Sequence, residues 1–221
     1  MTAIYAYVED DTAFIGVDTR RAIGLLSSVV TKVHRWSEHI LLAQTGAGKA
    51  VTELIYAMMV TRDNNPAFVS FADLSKIFDL HQKKMYQAAQ ANSKVTIVGT
   101  LVAACASDAT APAQIATFDF AAGGGPKIVG GSGSAYADGT DAAAFQSAAD
   151  HHIQCMRANS DAFALDRWAM TCIADAHASY PSSVDWPADL VITRPCPSPI
   201  RLTTFRRVAS VTAQDHPTFR I

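Results

Sequence analysis

Two hydrophobic periods run through this chain, and the order in which they alternate restricts the fold more than any single motif does. Residues 2–8 and 12–18 are strand-like runs joined by the turn Glu9-Asp10-Asp11, a hairpin by length and punctuation. A second strand pair falls at 29–36 and 39–45, split at Ser37-Glu38. After Gly48 the apolar residues of VTELIYAMMV recur at helical spacing until Asp63-Asn64-Asn65-Pro66 stops them. A second helix is predicted over 71–90, with Ser70 as its N-cap. Strands follow at 95–106, 114–121 and 127–131, then helices at 135–157 and 160–178, then strands at 189–194 and 200–210. Strands gathered in runs, rather than alternating one for one with helices, argue against a doubly wound parallel sheet. Two sheets face to face, each covered by a helix pair, use every piece, and the chain reads as a single domain over 1–221.

Composition narrows the function classes. Hydrophobic residues make up 49% of the 221 and charged residues 17%, which leaves few charges to cover an exterior and suggests surface buried in an assembly. A net charge of −2 gives no electrostatic footprint for nucleic acid. The start, MTAIYAYVEDD, has no basic region, and the apolar run at 95–106 is too short to span a bilayer. Cys105, Cys155, Cys172 and Cys196 lack paired spacing, so free thiols in a reducing compartment, the cytoplasm, are expected.

The stretch TGAGKA at 45–50 has the look of a phosphate loop and fails at both ends. The first glycine of that motif would stand at Ala43, and the hydroxyl that holds Mg²⁺ would stand at Ala50. Some other chemistry requires the glycine turn between an apolar strand and a helix. Met1-Thr2 offers one. Removal of Met1 leaves Thr2 with a free α-amine, and such an amine can act as base for the adjacent hydroxyl. It titrates near about 7.7–8, against about 10.4 for lysine, so it accepts a proton close to neutrality.

Four segments of the first fifty residues stand in register with that amine: Thr2-Ala3-Ile4, Gly16-Val17-Asp18-Thr19-Arg20, Lys32-Val33-His34-Arg35 and Thr45-Gly46-Ala47-Gly48. Together they resemble the N-terminal-nucleophile peptidases, proteasome β subunits and the HslV-type protease, most of all their bacterial homologues. The resemblance implies an α+β, four-layer αββα sandwich of two antiparallel sheets flanked by helix pairs. It also implies a threonine endopeptidase with Thr2, Asp18, Lys32 and Gly46 at its catalytic centre, Gly46 lending a backbone N–H to the oxyanion. The segment Gly131-Ser132-Gly133 looks like the one that opens the third helix there, so Ser132 is expected beside the amine. Asp175 and Ser179 stand in for a late Asp-x-x-Ser pair at one residue too wide a spacing. Arg21, Gln44, Gly48 and Thr52 map to the substrate pocket, and the segment from Asp18 to Lys32 is about two residues short.

The same resemblance implies stacked homomeric double rings, with seven-fold rings favoured over six-fold, cleaving unfolded polypeptides. An ATP-driven unfoldase partner is compatible with it. No cofactor, metal, nucleic acid or membrane is expected, and maturation needs only Met1 removal. A non-catalytic ring scaffold and an amidase acting on small amides are the rival functions. Retained Met1 would displace the amine base. His151-His152-x-x-Cys155 reads as a helix surface rather than a metal site, Cys105 as core and Lys49 as a solvated first-turn residue.

Overall fold

The computed structural model describes residues 2–23, 26–29, 32–46, 49–90, 98–121, 125–158, 164–186, 188–194 and 204–211. Strands β1 (Ala3–Glu9) and β2 (Thr12–Asp18) form the expected hairpin, with Ile4 opposite Val17 and Glu9 opposite Thr12. Both are buried almost throughout, because each has a packed layer on either side. β1 alternates accordingly. Ala3, Tyr5 and Tyr7 face one hydrophobic cluster, and Ile4, Ala6 and Val8 face another.

The first sheet has the order β10-β1-β2-β11-β12, with β10 Ser134–Gly139, β11 Ala188–Arg194 and β12 Thr204–Val211. The second has the order β5-β6-β7-β8-β9, from β5 Val33–Arg35, β6 Ile40–Gln44, β7 Thr100–Cys105, β8 Gln114–Asp119 and β9 Lys127–Gly131. Every pairing is antiparallel. A separate hairpin, β3 (Arg20–Ile23) with β4 (Leu26–Val29), lies between β2 and β5 in the chain. The single strand expected over 29–36 is therefore two: β4 ends at Val29 and β5 begins at Val33.

Helices α1 (Lys49–Asp63) and α2 (Phe71–Gln90) cover the second sheet, and α3 (Ala142–Ala158) and α4 (Leu165–Ser179) cover the first. The fold is thus α+β, a four-layer αββα sandwich. Between the sheets lie mostly small side chains, among them Ala6, Ala13, Ala43, Ala104, Val17 and Val102. Under α3 and α4, Trp168 meets Tyr5 and Tyr7 edge-on and lies tilted against Phe14. α2 begins where its signal stands: Ser70 Oγ accepts the Asp73 N–H, and Asp73 Oδ2 accepts both the backbone N–H and the hydroxyl of Ser70.

One element differs in kind from its sequence expectation. Residues 134–139 form a strand, not the start of the third helix. Ladder pairing with β1 outweighs the helical preference of their alanines, and Ala135 and Ala137 turn toward α3 while Tyr136 turns between the sheets. Among the described residues no helix is long and apolar enough to cross a membrane.

Candidate functional site

The strands of the first sheet bring three chain segments to one edge. Ala3 pairs with Gly139, Ile4 with Val17, and Ala188 with Asp18, so Thr2, Asp18 and the residues after Gly139 share that end. In the second sheet Val33 pairs with Ala43, which sets Lys32 level with Gln44 and puts Thr45-Gly46 just beyond. The two ends meet at Thr2. Lys32 Nζ donates to Thr2 Oγ1 at 3.0 Å and to Asp18 Oδ2 at 2.9 Å. The other oxygen of Asp18, Oδ1, accepts the Ala3 N–H at 2.7 Å.

All three side chains are buried: Asp18 is fully enclosed, and Thr2 and Lys32 are each 6% exposed. Desolvation lowers the pKa of Lys32, opposed by the attraction of Asp18. Desolvation also raises the Asp18 carboxyl, opposed by Lys32 and by the Ala3 N–H. A lysine so placed can steady negative charge on the threonine oxygen. It also gives up its proton more readily than a solvated lysine would.

Gly46 ends the strand side of the site. Its φ of +100° lies in the region open chiefly to glycine. A Cβ there would stand 2.3 Å from the Val98 carbonyl oxygen, so the strand crossing at Gly46 and Gly99 leaves no room for a side chain.

A mutant of Anbu from Hyphomicrobium sp. strain MC1 superposes on the chain with a TM-score of 0.69, over 99% of this chain and 91% of that one. The chain has the fold of Anbu. Sequence identity with Anbu is only 11%, so the likeness is one of fold alone. No family model matches the chain, and no curated protein matches it. This corrects the expectation drawn from the residue pattern. Membership of the proteasome β and HslV-type peptidase family does not stand, because four short motifs in register have no sequence likeness around them. What remains is the Anbu-like sandwich and the geometry at its edge.

Other expected site residues lie elsewhere. Ser132 is a correction: its hydroxyl donates to Asp10 Oδ1 at 2.7 Å, at the β1–β2 turn. Val8 pairs with Ser134 and Ala3 with Gly139, so about 17 Å of strand separates Ser132 from Thr2. Asp175 and Ser179 both lie on α4. Asp175 Oδ2 is 2.6 Å from His152 Nε2 in the outer helix layer, and Ser179 is the exposed last residue of α4. Gln44 is half-buried at the end of β6, and among the described residues its Oε1 has no hydrogen-bond partner. Thr52 is exposed in the first turn of α1. Arg21 sits in β3 opposite Ser28, with its backbone alone described. Gly48, Met1 and Cys196 lie outside the described residues.

Sequence reasoning missed the segment that touches Thr2 from the far side. Thr140 N–H donates to the Thr2 carbonyl at 3.2 Å. A Cβ on Gly139, whose φ is +145°, would stand 2.0 Å from that same oxygen. The signal was present in Gly139-Thr140-Asp141, a glycine followed by an N-cap aspartate ahead of α3. It was overlooked because Gly131-Ser132-Gly133 offered a similar glycine pattern eight residues earlier. Of the other expectations, Cys105, Cys155 and Cys172 are free thiols, and burial pushes Cys105 and Cys172 upward, away from thiolate reactivity. Among the described residues no cluster of metal-ligating side chains occurs.

Proposed function

We propose that this chain is a threonine-type endopeptidase in which Thr2, once cleavage before it frees the α-amine, is the nucleophile. The observation that carries the reading is the buried contact of Lys32 Nζ with both Thr2 Oγ1, at 3.0 Å, and Asp18 Oδ2, at 2.9 Å. Thr2 Oγ1 attacks the scissile carbonyl carbon, and its proton passes to the α-amine while Lys32 steadies the developing charge. The carbonyl electrons move onto oxygen, and the Gly46 N–H donates a hydrogen bond to that oxyanion, a contact worth roughly 3–4 kcal/mol in comparable sites. Collapse breaks the C–N bond, the ammonium protonates the leaving amine, and water later hydrolyses the ester by the reverse proton transfer. Gln44, Thr52, Arg21 and Gly48 would line the substrate pocket.

The substrate class is unfolded polypeptide, and the chain works in stacked rings, seven-fold by preference, with an ATP-driven unfoldase as a possible feeder. Low charge content supports assembly, as do Tyr56 and Leu80, 72% and 47% exposed on the outer helices α1 and α2. Turnover of an unfolded, dye-quenched protein tests the activity. The processed wild type should cleave it, and Thr2→Ala, folded and assembled alike, should lose at least 1,000-fold. Equal turnover by both would remove Thr2 from the chemistry.

A further inference from the structure

Thr2 precedes the first residue of β1, so the bond from Thr140 N–H to its carbonyl carries the ladder one step past the strand. Thr140-Asp141 is a two-residue joint between Gly139, the last residue of β10, and Ala142, the first of α3. Asp141 fixes that joint from the helix side. Its Oδ1 accepts the Ala144 N–H at 3.1 Å, and its carbonyl accepts the Phe145 N–H at 2.9 Å. The other carboxylate oxygen, Oδ2, accepts the hydroxyl of Tyr180 at 2.5 Å.

Tyr180 is itself held at several points. Its N–H closes α4 on Ala176, its carbonyl accepts the N–H groups of Ser183 and Val184, and its ring meets Phe145 edge-on at 5.7 Å. Two hydrogen bonds, from the Tyr180 hydroxyl to Asp141 Oδ2 and from the Thr140 N–H to the Thr2 carbonyl, thus hold the two residues of the joint, which the backbone connects directly. The hydrogen bond from Tyr180, followed by that from Ala144, holds the Asp141 carboxyl below its ordinary range. The same bond raises the Tyr180 phenol, so the pair keeps a charged acceptor and a protonated donor through the neutral range.

We propose that Asp141 and Tyr180 are positioning residues that clamp the Thr140 amide onto the Thr2 carbonyl and so aim the Thr2 hydroxyl at Lys32. The clamp joins the end of α4 to the start of α3 across 39 residues of sequence, and it reaches the nucleophile without touching substrate. Its effect on rate rests on the peptidase reading above; its effect on the Thr140 amide does not.

Tyr180→Phe is the variant of choice, since it removes one oxygen and keeps the ring against Phe145. Asp141→Ala removes both the cap and the acceptor, while Asp141→Asn keeps the cap. Two readouts are taken on the processed, assembled protein: residue-resolved amide exchange at Thr140, and kcat and KM on an unfolded dye-quenched protein, with Thr2→Ala alongside. Thr140 exchange should quicken at least tenfold in Tyr180→Phe, with kcat down about 10- to 100-fold and KM within threefold. Asp141→Asn should fall between Tyr180→Phe and wild type. Unchanged exchange in Tyr180→Phe would overturn the clamp, whatever the activity. Faster exchange with unchanged kcat, where Thr2→Ala is inactive, would overturn the positioning role. A wild type without Thr2-dependent turnover would sink the peptidase reading instead, and exchange at Thr140 would then decide the clamp by itself.

Discussion

At the scale of single residues, the site at Thr2 depends on a buried cation, Lys32, and a buried carboxylate, Asp18. Removing one partner of such a pair leaves the other charged without compensation, a loss of roughly 3–5 kcal/mol. Lys32→Met should therefore destabilise the fold as well as abolish turnover, and the loss should depend on pH in a definite direction. Burial already raises the Asp18 carboxyl and Lys32 opposes the rise, so without Lys32 its folded pKa climbs further above the unfolded value of about 3.9. Above that value the folded state binds more protons than the unfolded state. Stability then falls as pH rises, by up to about 1.4 kcal/mol per pH unit until the folded pKa is passed. Denaturant melts at pH 5 and pH 8 should show Lys32→Met weaker at pH 8, and Asp18→Asn/Lys32→Met should lack that slope. A pH-independent Lys32→Met would mean that Asp18 finds another cation.

At the scale of elements, two predictions separate capping from close packing. Ser70→Ala removes one half of the reciprocal cap that starts α2 and should cost about 1 kcal/mol, read as a shifted denaturation midpoint with turnover unchanged. Gly139→Ala sets a methyl 2.0 Å from the Thr2 carbonyl at a φ of +145°. It should therefore displace Thr2, and the loss of turnover should exceed the loss of stability. A Gly139→Ala enzyme with normal kcat would contradict the tight joint. The same elements show what the sequence made legible. α2 could be read because its period, its Ser70 cap and the Asn-Pro break before it agree. β10 could not, because Ser134–Gly139 is rich in small residues that suit a helix as well as a strand. Only its partner β1, some 130 residues earlier, decides the matter. The same ambiguity sets Ser132 beside the amine in the sequence and hides Thr140, which the end of β10 brings against the Thr2 carbonyl. Thr2, Asp18 and Gly46 stand at the ends of strands that the pattern marks clearly, whereas Lys32 falls inside the single strand expected over 29–36, which the structure divides.

For the whole molecule, the grouping of strands and helices was sufficient to give the four layers, while kinship was not legible from short motifs at 11% identity to Anbu. The proposed double ring of fourteen chains would weigh about 330 kDa at 23.6 kDa per chain, and mass photometry at nanomolar concentration should find it. A particle of one or two chains would rule that assembly out. A peptide epoxyketone reports directly on a threonine that is both nucleophile and N-terminus, since it closes a ring on the hydroxyl and the adjacent free amine. Intact mass of the processed protein should rise by one inhibitor per chain, with Thr2→Ala and Lys32→Met unlabelled. A processed chain that begins at Thr2, is folded and still gains no mass would contradict the account.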